Sequence, residues 1–248
     1  MKFVVLTIFP ELLNACWEYG IMRRAIESGA ISTRAVNIRD HAQGRHSITD
    51  DRPYGGGCGM VMKPEPLVGA IREAQKDTPG APVILLSPQG QPLNQALAAQ
   101  LAAHEALIFI CGRYEGIDER IAGQWVDMEL SIGDYILTGG ELAAMVVMEA
   151  VTRLIPGALG NETSAQQESF SNRRLDHAHY TRPPEFEGEA VPEVLLSGHH
   201  DKITQWRQAD ALMRTLVRRP DLLDAASLTQ EEVRLLKKWR VEIERLVH

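Results

Sequence analysis

The sequence has 248 residues, 44% hydrophobic and 24% charged, with three cysteines and a net charge of −7. Such a chain can bury a sizeable core without disulfides or a structural metal. Cys16, Cys58 and Cys111 are odd in number and far apart, which sets aside a disulfide framework or a zinc pattern and points to a reducing cytoplasm. The acidic balance alone argues against a nucleic-acid partner, but the excess lies in the first 160 residues. From residue 172 onward the charges balance and can be sorted into a basic face.

The run "KFVVLTIF" (2–9) reads as a first strand, because Pro10 and Glu11 cut it and no small-residue cleavage site follows. No run approaches transmembrane length. Four further strand signals follow: "ISTRAVNI" (31–38), "PVILLS" (82–87), "ALIFIC" (106–111) and "WVDMELS" (125–131). Helical signals near 11–28, 65–76, 93–103 and 116–123 lie between them. Strands alternating with helices predict an α/β fold with a mainly parallel sheet covered on both faces. The near-continuous apolar runs at 82–87 and 106–111 suit central strands.

"GELAAMVVMEAVTRL" (140–154) has helical length but is apolar almost all round. It is either deeply buried or shared with a second copy, and a homodimer seam is the favoured reading. Pro156, Gly157 and Gly160 stop the pattern. The polar stretch "SAQQESFSNRR" (164–174) has a linker's composition, and a Pro-rich connector follows it. Helical signals then return at 203–218 and 230–246, the second opening on Thr229 and Glu232 in capping-box spacing. The predicted division is an α/β domain over 1–160, a linker over 161–175 and a smaller, mostly helical domain over 176–248.

Ligands of parallel sheets collect at the carboxyl ends of strands. Three such ends carry glycine-rich or irregular loops here: "LLSPQGQPL", "CGRYEGIDER" and "SIGDYILTGGE". None is a dinucleotide or phosphate-loop motif, and Ser131–Glu141 holds no cation. Backbone-rich loops without cations suit a ligand such as an adenosine lacking phosphates; the bland alternative is that the glycines only serve tight turns. The long connection 40–63, with Arg39, His41, Arg45, His46 and Arg52, is either a phosphate-contacting loop or a solvated one. At 100° per residue Arg207, Arg214 and Arg218 share one stripe opposite Trp206, Leu212 and Leu216, a solvated face or a phosphate-binding one. Asp176, His177 and His179 lack a further ligand at standard spacing, so no metal site is expected.

"LTIFPE" (6–11), "DDRPYGGGCGM", "LLSPQG", "CGRYEGIDER", "SIGDYILTGGEL", "DHAHYTRP", "VPEVLLSGHH" and "RRPDLL" together resemble the bacterial tRNA (guanine-N1)-methyltransferases, a SPOUT-class family, across essentially the whole chain. The resemblance implies a trefoil knot at the end of the α/β domain. It also implies S-adenosyl-L-methionine as methyl donor, tRNA as partner, and a cytoplasmic homodimer with active sites at the subunit interface. The acceptor would be N1 of the guanine immediately 3′ of the anticodon. The family's use of magnesium extends the expectation to Mg2+, for which the sequence shows no dedicated site.

Guanine N1 carries a proton at neutral pH, so a carboxylate base is needed, and charge developing on O6 calls for a cation. By resemblance the base is Glu168, the cation Arg153, and Asp176 completes the site. The cofactor residues by resemblance are Leu86, Ser87, Gly112, Tyr114, Glu115, Ile132, Gly133, Asp134, Tyr135, Ile136, Leu137, Gly139 and Gly140. Arg207, Arg214 and Arg218 would hold RNA. Three positions depart from the family pattern. Glu168 stands for the usual Asp, Ala143 for a common Pro, and "NRRLD" for a less charged segment. An RNA-binding module of the same fold with impaired catalysis is the alternative.

Overall fold

A computed structural model describes residues 1–44, 46–159 and 168–247. The chain divides into two compact units, Met1–Glu162 and Thr163–His248. The expected linker falls partly on residues 161–167, which lie outside the described residues, as do Arg45 and Gly160. No described helix is long and apolar enough to cross a membrane.

The first unit is built on five parallel strands in the order β2-β1-β6-β5-β7. These are β1 (Lys2–Thr7), β2 (Ser32–Asn37), β5 (Val83–Pro92), β6 (Ala106–Cys111) and β7 (Met128–Ser131). The ribbon of β3 (Asp50–Asp51) and β4 (Val61–Met62) stands apart from this sheet. The helices are α1 (Pro10–Trp17), α2 (Gly20–Glu27), α3 (Pro64–Asp77), α4 (Gln95–Ala102), α5 (Glu119–Trp125) and α6 (Glu141–Thr152).

Successive strand residues point to opposite faces, which splits the apolar runs between two cores. Phe3, Val5, Ile84, Leu107 and Phe109 pack with Leu13, Met22, Leu97, Leu101 and Val147 on one face. Val4, Leu6, Val83, Leu85, Ile108 and Ile110 pack with Leu67, Ile71 and Ile121 on the other. The predicted single helix over 11–28 is two helices. Gly20 has φ +62°, a left-handed conformation that interrupts the first helix and lets the second start in a new direction.

β5 does something no strand pattern announces. Leu86 and Gln91 both pair with Leu130, Pro92 pairs with Ser131, and Leu93 N–H donates to the Ser131 carbonyl at 2.8 Å. The register between the two strands therefore shifts between Leu86 and Gln91, with residues 87–90 interrupting the ladder. Any side chain at Gly90 would collide with the backbone of Glu129 and Leu130.

α6 buries Ala143, Ala144, Val147, Met148 and Val151 in the first core, and leaves Leu142 and Val146 53% and 47% exposed. The burial reading thus holds for one side of the helix, and the other is an apolar strip facing solvent.

The second unit contains the hairpin β8 (Glu185–Phe186) and β9 (Glu189–Ala190), then α7 (Glu193–Leu196), α8 (His200–Arg218) and α9 (Gln230–Val247). The hairpin and α7 occupy the stretch predicted as a plain connector. The capping box forms as expected: Glu232 N–H donates to Thr229 Oγ1 at 3.2 Å, and Thr229 N–H donates to Glu232 Oε2 at 2.8 Å. Residues 168–176, a loose linker by composition, are instead a hydrogen-bonded turn. Phe170 N–H donates to the Arg174 carbonyl at 2.7 Å and Asp176 N–H to Ser169 Oγ at 2.9 Å. The Arg174 guanidinium holds Glu232 of α9 at 2.8 Å.

Candidate active site

The loops at the carboxyl ends of β5, β6 and β7 converge on a cleft of ≈ 470 Å³. Two of them are stitched together directly. Gly140 N–H donates to the Gly112 carbonyl at 2.9 Å, and Arg113 pairs with Gly139 in an isolated antiparallel bridge. Glycine is required at 140 because a Cβ there would lie 2.7 Å from the Cys111 Cα, although its φ of −79° suits any residue. The third loop is folded on itself, with Tyr135 Oη donating to the Ile132 carbonyl at 3.1 Å and Gly133 N–H to Ser131 Oγ at 3.2 Å.

All the predicted cofactor residues line the cleft except Asp134, which is exposed. Leu86, Ile132, Ile136 and Leu137 supply apolar wall; Ser87, Gly112, Gly133, Gly139 and Gly140 supply backbone groups, with Tyr114, Glu115 and Tyr135 beside them. The lining holds one cation, Arg113, and two carboxylates, Glu115 and Glu119.

Arg113 is not free to meet a phosphate. Its guanidinium lies 2.9 Å from Glu141 Oε2 through Nη2 and donates from Nε to the same carboxylate at 3.0 Å. It also stacks over the Phe9 ring at 4.6 Å. Glu141 is 1% exposed and accepts from the Thr7 hydroxyl at 2.7 Å. Sequence reading passed over these residues, although Thr7 and Phe9 fall in "LTIFPE" and Arg113 in "CGRYEG". The pairing spans 134 residues, so no local pattern could mark it. The cleft is therefore acidic in balance, walled by apolar groups and backbone, and of the size usual for small-molecule sites. That donor set fits S-adenosylmethionine, an adenosine without phosphates that carries a sulfonium cation.

The connection 40–63 is bonded to the loop after β6 but does not itself line the cleft. Glu115 N–H donates to the Met60 carbonyl at 3.0 Å and Met62 N–H to the Gly116 carbonyl at 2.9 Å. Gly59, at φ +85°, adopts a conformation that disfavours other residues, and a side chain there would displace the Glu115 carboxylate. Of the loop's basic residues, His41 is taken up by Glu73 at 3.0 Å, while His46 and Arg52 are exposed.

Arg153 ends α6 in the first unit; burial raises the Glu149 carboxyl, and the Arg153 guanidinium offsets only part of that rise. Glu168 and Asp176 belong to the second unit. Glu168 is half-buried at the head of the turn, its carbonyl accepting from Ser171 N–H at 3.3 Å. Partial burial raises the Asp176 carboxyl, but the hydrogen bonds from His179 and the His177 backbone prevail and hold it below the usual range. The arginine stripe on α8 is uneven. Arg207 and Arg218 are exposed, whereas Arg214 is half-buried, its Nε lacking a hydrogen-bond partner among the described residues. The apolar side is displaced too: Leu212 and Thr215 are buried while Val217 is 72% exposed, because the helix packs on a face rotated from the one the hydrophobicity marks.

The family model described as tRNA (guanine-1)-methyltransferase TrmD matches residues 1–225. The chain belongs to that family of methyltransferase enzymes. A tRNA (guanine-N(1)-)-methyltransferase of Desulfatibacillum aliphaticivorans is 58% identical, over 98% of this chain and 93% of the relative. One from Syntrophotalea carbinolica is 52% identical over 96% of each. The crystal structure of the tRNA (m1G37) methyltransferase from Aquifex aeolicus aligns with a TM-score of 0.74 at 40% identity, covering 89% of this chain and 93% of that one. The mainly parallel α/β sheet and the helical C-terminal region thus match those of a solved family member.

Proposed function

We propose that this protein transfers a methyl group from S-adenosylmethionine to N1 of the guanine immediately 3′ of the anticodon in tRNA. The observation that carries the reading is the cleft itself: apolar walls, converging backbone groups, and a lone cation already neutralised by Glu141. Bound S-adenosylmethionine supplies an electrophilic methyl group on a positively charged sulfur. Glu115 and Glu119 favour that charge, and the loops joined through Gly112, Gly139 and Gly140 exclude water from the adenosine edge.

Glu168 is assigned as the general base. Its carboxylate takes the N1 proton, freeing the nitrogen lone pair to form the new N–C bond as the S–C bond breaks. Arg153 is assigned to the negative charge that grows on O6, and Asp176 to completing the site. Arg207, Arg214 and Arg218 are assigned to phosphate contacts. The exposed Leu142 and Val146 on α6 support homodimerisation through that strip, and the close approach of Gly90 to the backbone of β7 supports a knotted chain. A tRNA substrate supports a cytoplasmic location.

The test is transfer of label from methyl-labelled S-adenosylmethionine to an unmodified tRNA transcript, with a second transcript carrying adenine at the target position. Label is expected only on the first. Glu168→Gln should lower the single-turnover rate by about 10²–10⁴-fold, the usual contribution of a general base. No label at high enzyme concentration would overturn the function. Full activity of Glu168→Gln would overturn the base assignment alone.

A further inference from the structure

We propose that Asp176, His177 and His179 form a binding site for a divalent transition metal of the zinc class. A carboxylate oxygen and one ring nitrogen from each histidine lie within 4.8 Å of one another. His179 Nε2 stands 2.9 Å from Asp176 Oδ2, and His177 Nε2 stands 3.8 Å from Asp176 Oδ1. A tetrahedral ion with bonds near 2.0–2.2 Å sets its ligands about 3.3 Å apart. Small side-chain rotations therefore bring all three to one centre.

The surroundings already hold His177 in a ligating form, whereas His179 would exchange its bond to Asp176 for the ion. His177 Nδ1 lies 3.0 Å from the Ala178 carbonyl, an acceptor that keeps the ring proton on Nδ1 and leaves the Nε2 lone pair facing Asp176. Such a carbonyl behind the ring is the usual support of a metal-bound histidine. The backbone between the two histidines is pinned, because Ala178 N–H donates to Asp210 Oδ2 on α8 at 2.6 Å. Asp176 is pinned by Ser169 Oγ at 2.9 Å, and the Trp206 ring meets that of His177 edge-on at 6.3 Å.

Burial is graded across the cluster. The His177 and Asp176 side chains are 18% and 27% exposed, whereas His179 is 71% exposed. The inner pair is sheltered, and the outer side is open for an ion to arrive and for a water to fill the fourth position. Two imidazoles and one carboxylate favour Zn2+, Co2+ or Ni2+ over Mg2+, which takes oxygen ligands and keeps its waters. The spacing i, i+1, i+3 fits neither a helix face nor a strand face. The irregular backbone through Ala178, held by Asp210, is what brings the groups together.

The experiment uses untagged full-length protein, with Co2+ binding read by visible absorption and Zn2+ binding by calorimetry. One site per chain is expected, with Mg2+ far weaker. His177→Gln and His179→Gln should each weaken Zn2+ binding by at least about ten-fold, since even loss of a supporting partner costs that much. His200→Gln, an exposed control, should leave it unchanged. Circular dichroism checks that each variant folds, and the exposed position of His179 keeps that variant informative if His177→Gln does not. Absence of a stoichiometric site, equal affinity for Mg2+, or native Zn2+ affinity in both ligand variants would overturn the proposal. The readout is binding, so the result stands apart from any measurement of methyl transfer.

Discussion

Glu141→Gln preserves the shape of a buried side chain and removes its charge. The native carboxylate is 1% exposed, pairs with Arg113 at 2.9 Å and accepts from Thr7 at 2.7 Å. Removing one partner of a buried pair costs about 3–5 kcal/mol, because the other charge is stranded. Arg113 keeps 18% of its side-chain surface in water and has the Phe9 ring 4.6 Å below its guanidinium. Both features soften the loss, so about 3 kcal/mol is expected. At about 2–4 °C per kcal/mol for a chain of this size, calorimetry should show the N-terminal unit melting about 6–12 °C lower. S-adenosylmethionine binding should weaken as well, since Arg113 tethers two of the three cleft loops. Adding Arg113→Met removes the stranded charge and should recover at least half the lost stability. A single variant costing under about 1 kcal/mol, or a double variant as costly as the two singles summed, would refute the reasoning.

Gly140→Ala places a methyl 2.7 Å from the Cys111 Cα at an unstrained φ, so it probes steric approach alone. Calorimetric titration should show S-adenosylmethionine binding at least about ten-fold weaker, with about 1–3 kcal/mol of stability lost to overpacking. Half-burial raises the Glu232 carboxyl, yet the Arg174 guanidinium and the Thr229 backbone outweigh it and hold it below its ordinary value. Between that depressed value and the unfolded one near 4.3 the unfolded chain binds more protons, so stability is present above this window and lost as pH falls through it. Urea melts of Glu232→Gln should accordingly lose less stability than the native chain between pH 6 and pH 3. Thiol titration of the native protein should show one fast equivalent, from exposed Cys58 and absent in Cys58→Ser. Burial pushes the Cys111 thiol well up, with Glu141 adding to it, and burial also raises Cys16.

The strands and the glycine-rich strand ends were legible because their signals are local: a period of two, a run of β-branched residues, a cluster of Gly after a strand. The contacts that shape the cleft were not. Thr7, Arg113 and Glu141 are ordinary residues until the fold unites them, and Gly90 looks like turn punctuation until it is seen packed against the backbone of Glu129 and Leu130. In the second unit, composition marked residues 168–176 as loose, but the Arg174–Glu232 pair and the turn at Phe170 depend on α9, far along the chain. Hydrophobicity placed the apolar side of α8 too far from Arg214, because helix packing follows the neighbour's shape as well as side-chain polarity.

A strand at the rim of a sheet ordinarily offers unpaired backbone groups to any other chain, a standing risk of aggregation. β7 stands last in the strand order and is only four residues long. The opposite rim, β2, is a short strand of polar character whose Arg34 is anchored to Glu73 and Asp77 of α3. Both rims therefore offer another chain little to pair with, which guards solubility.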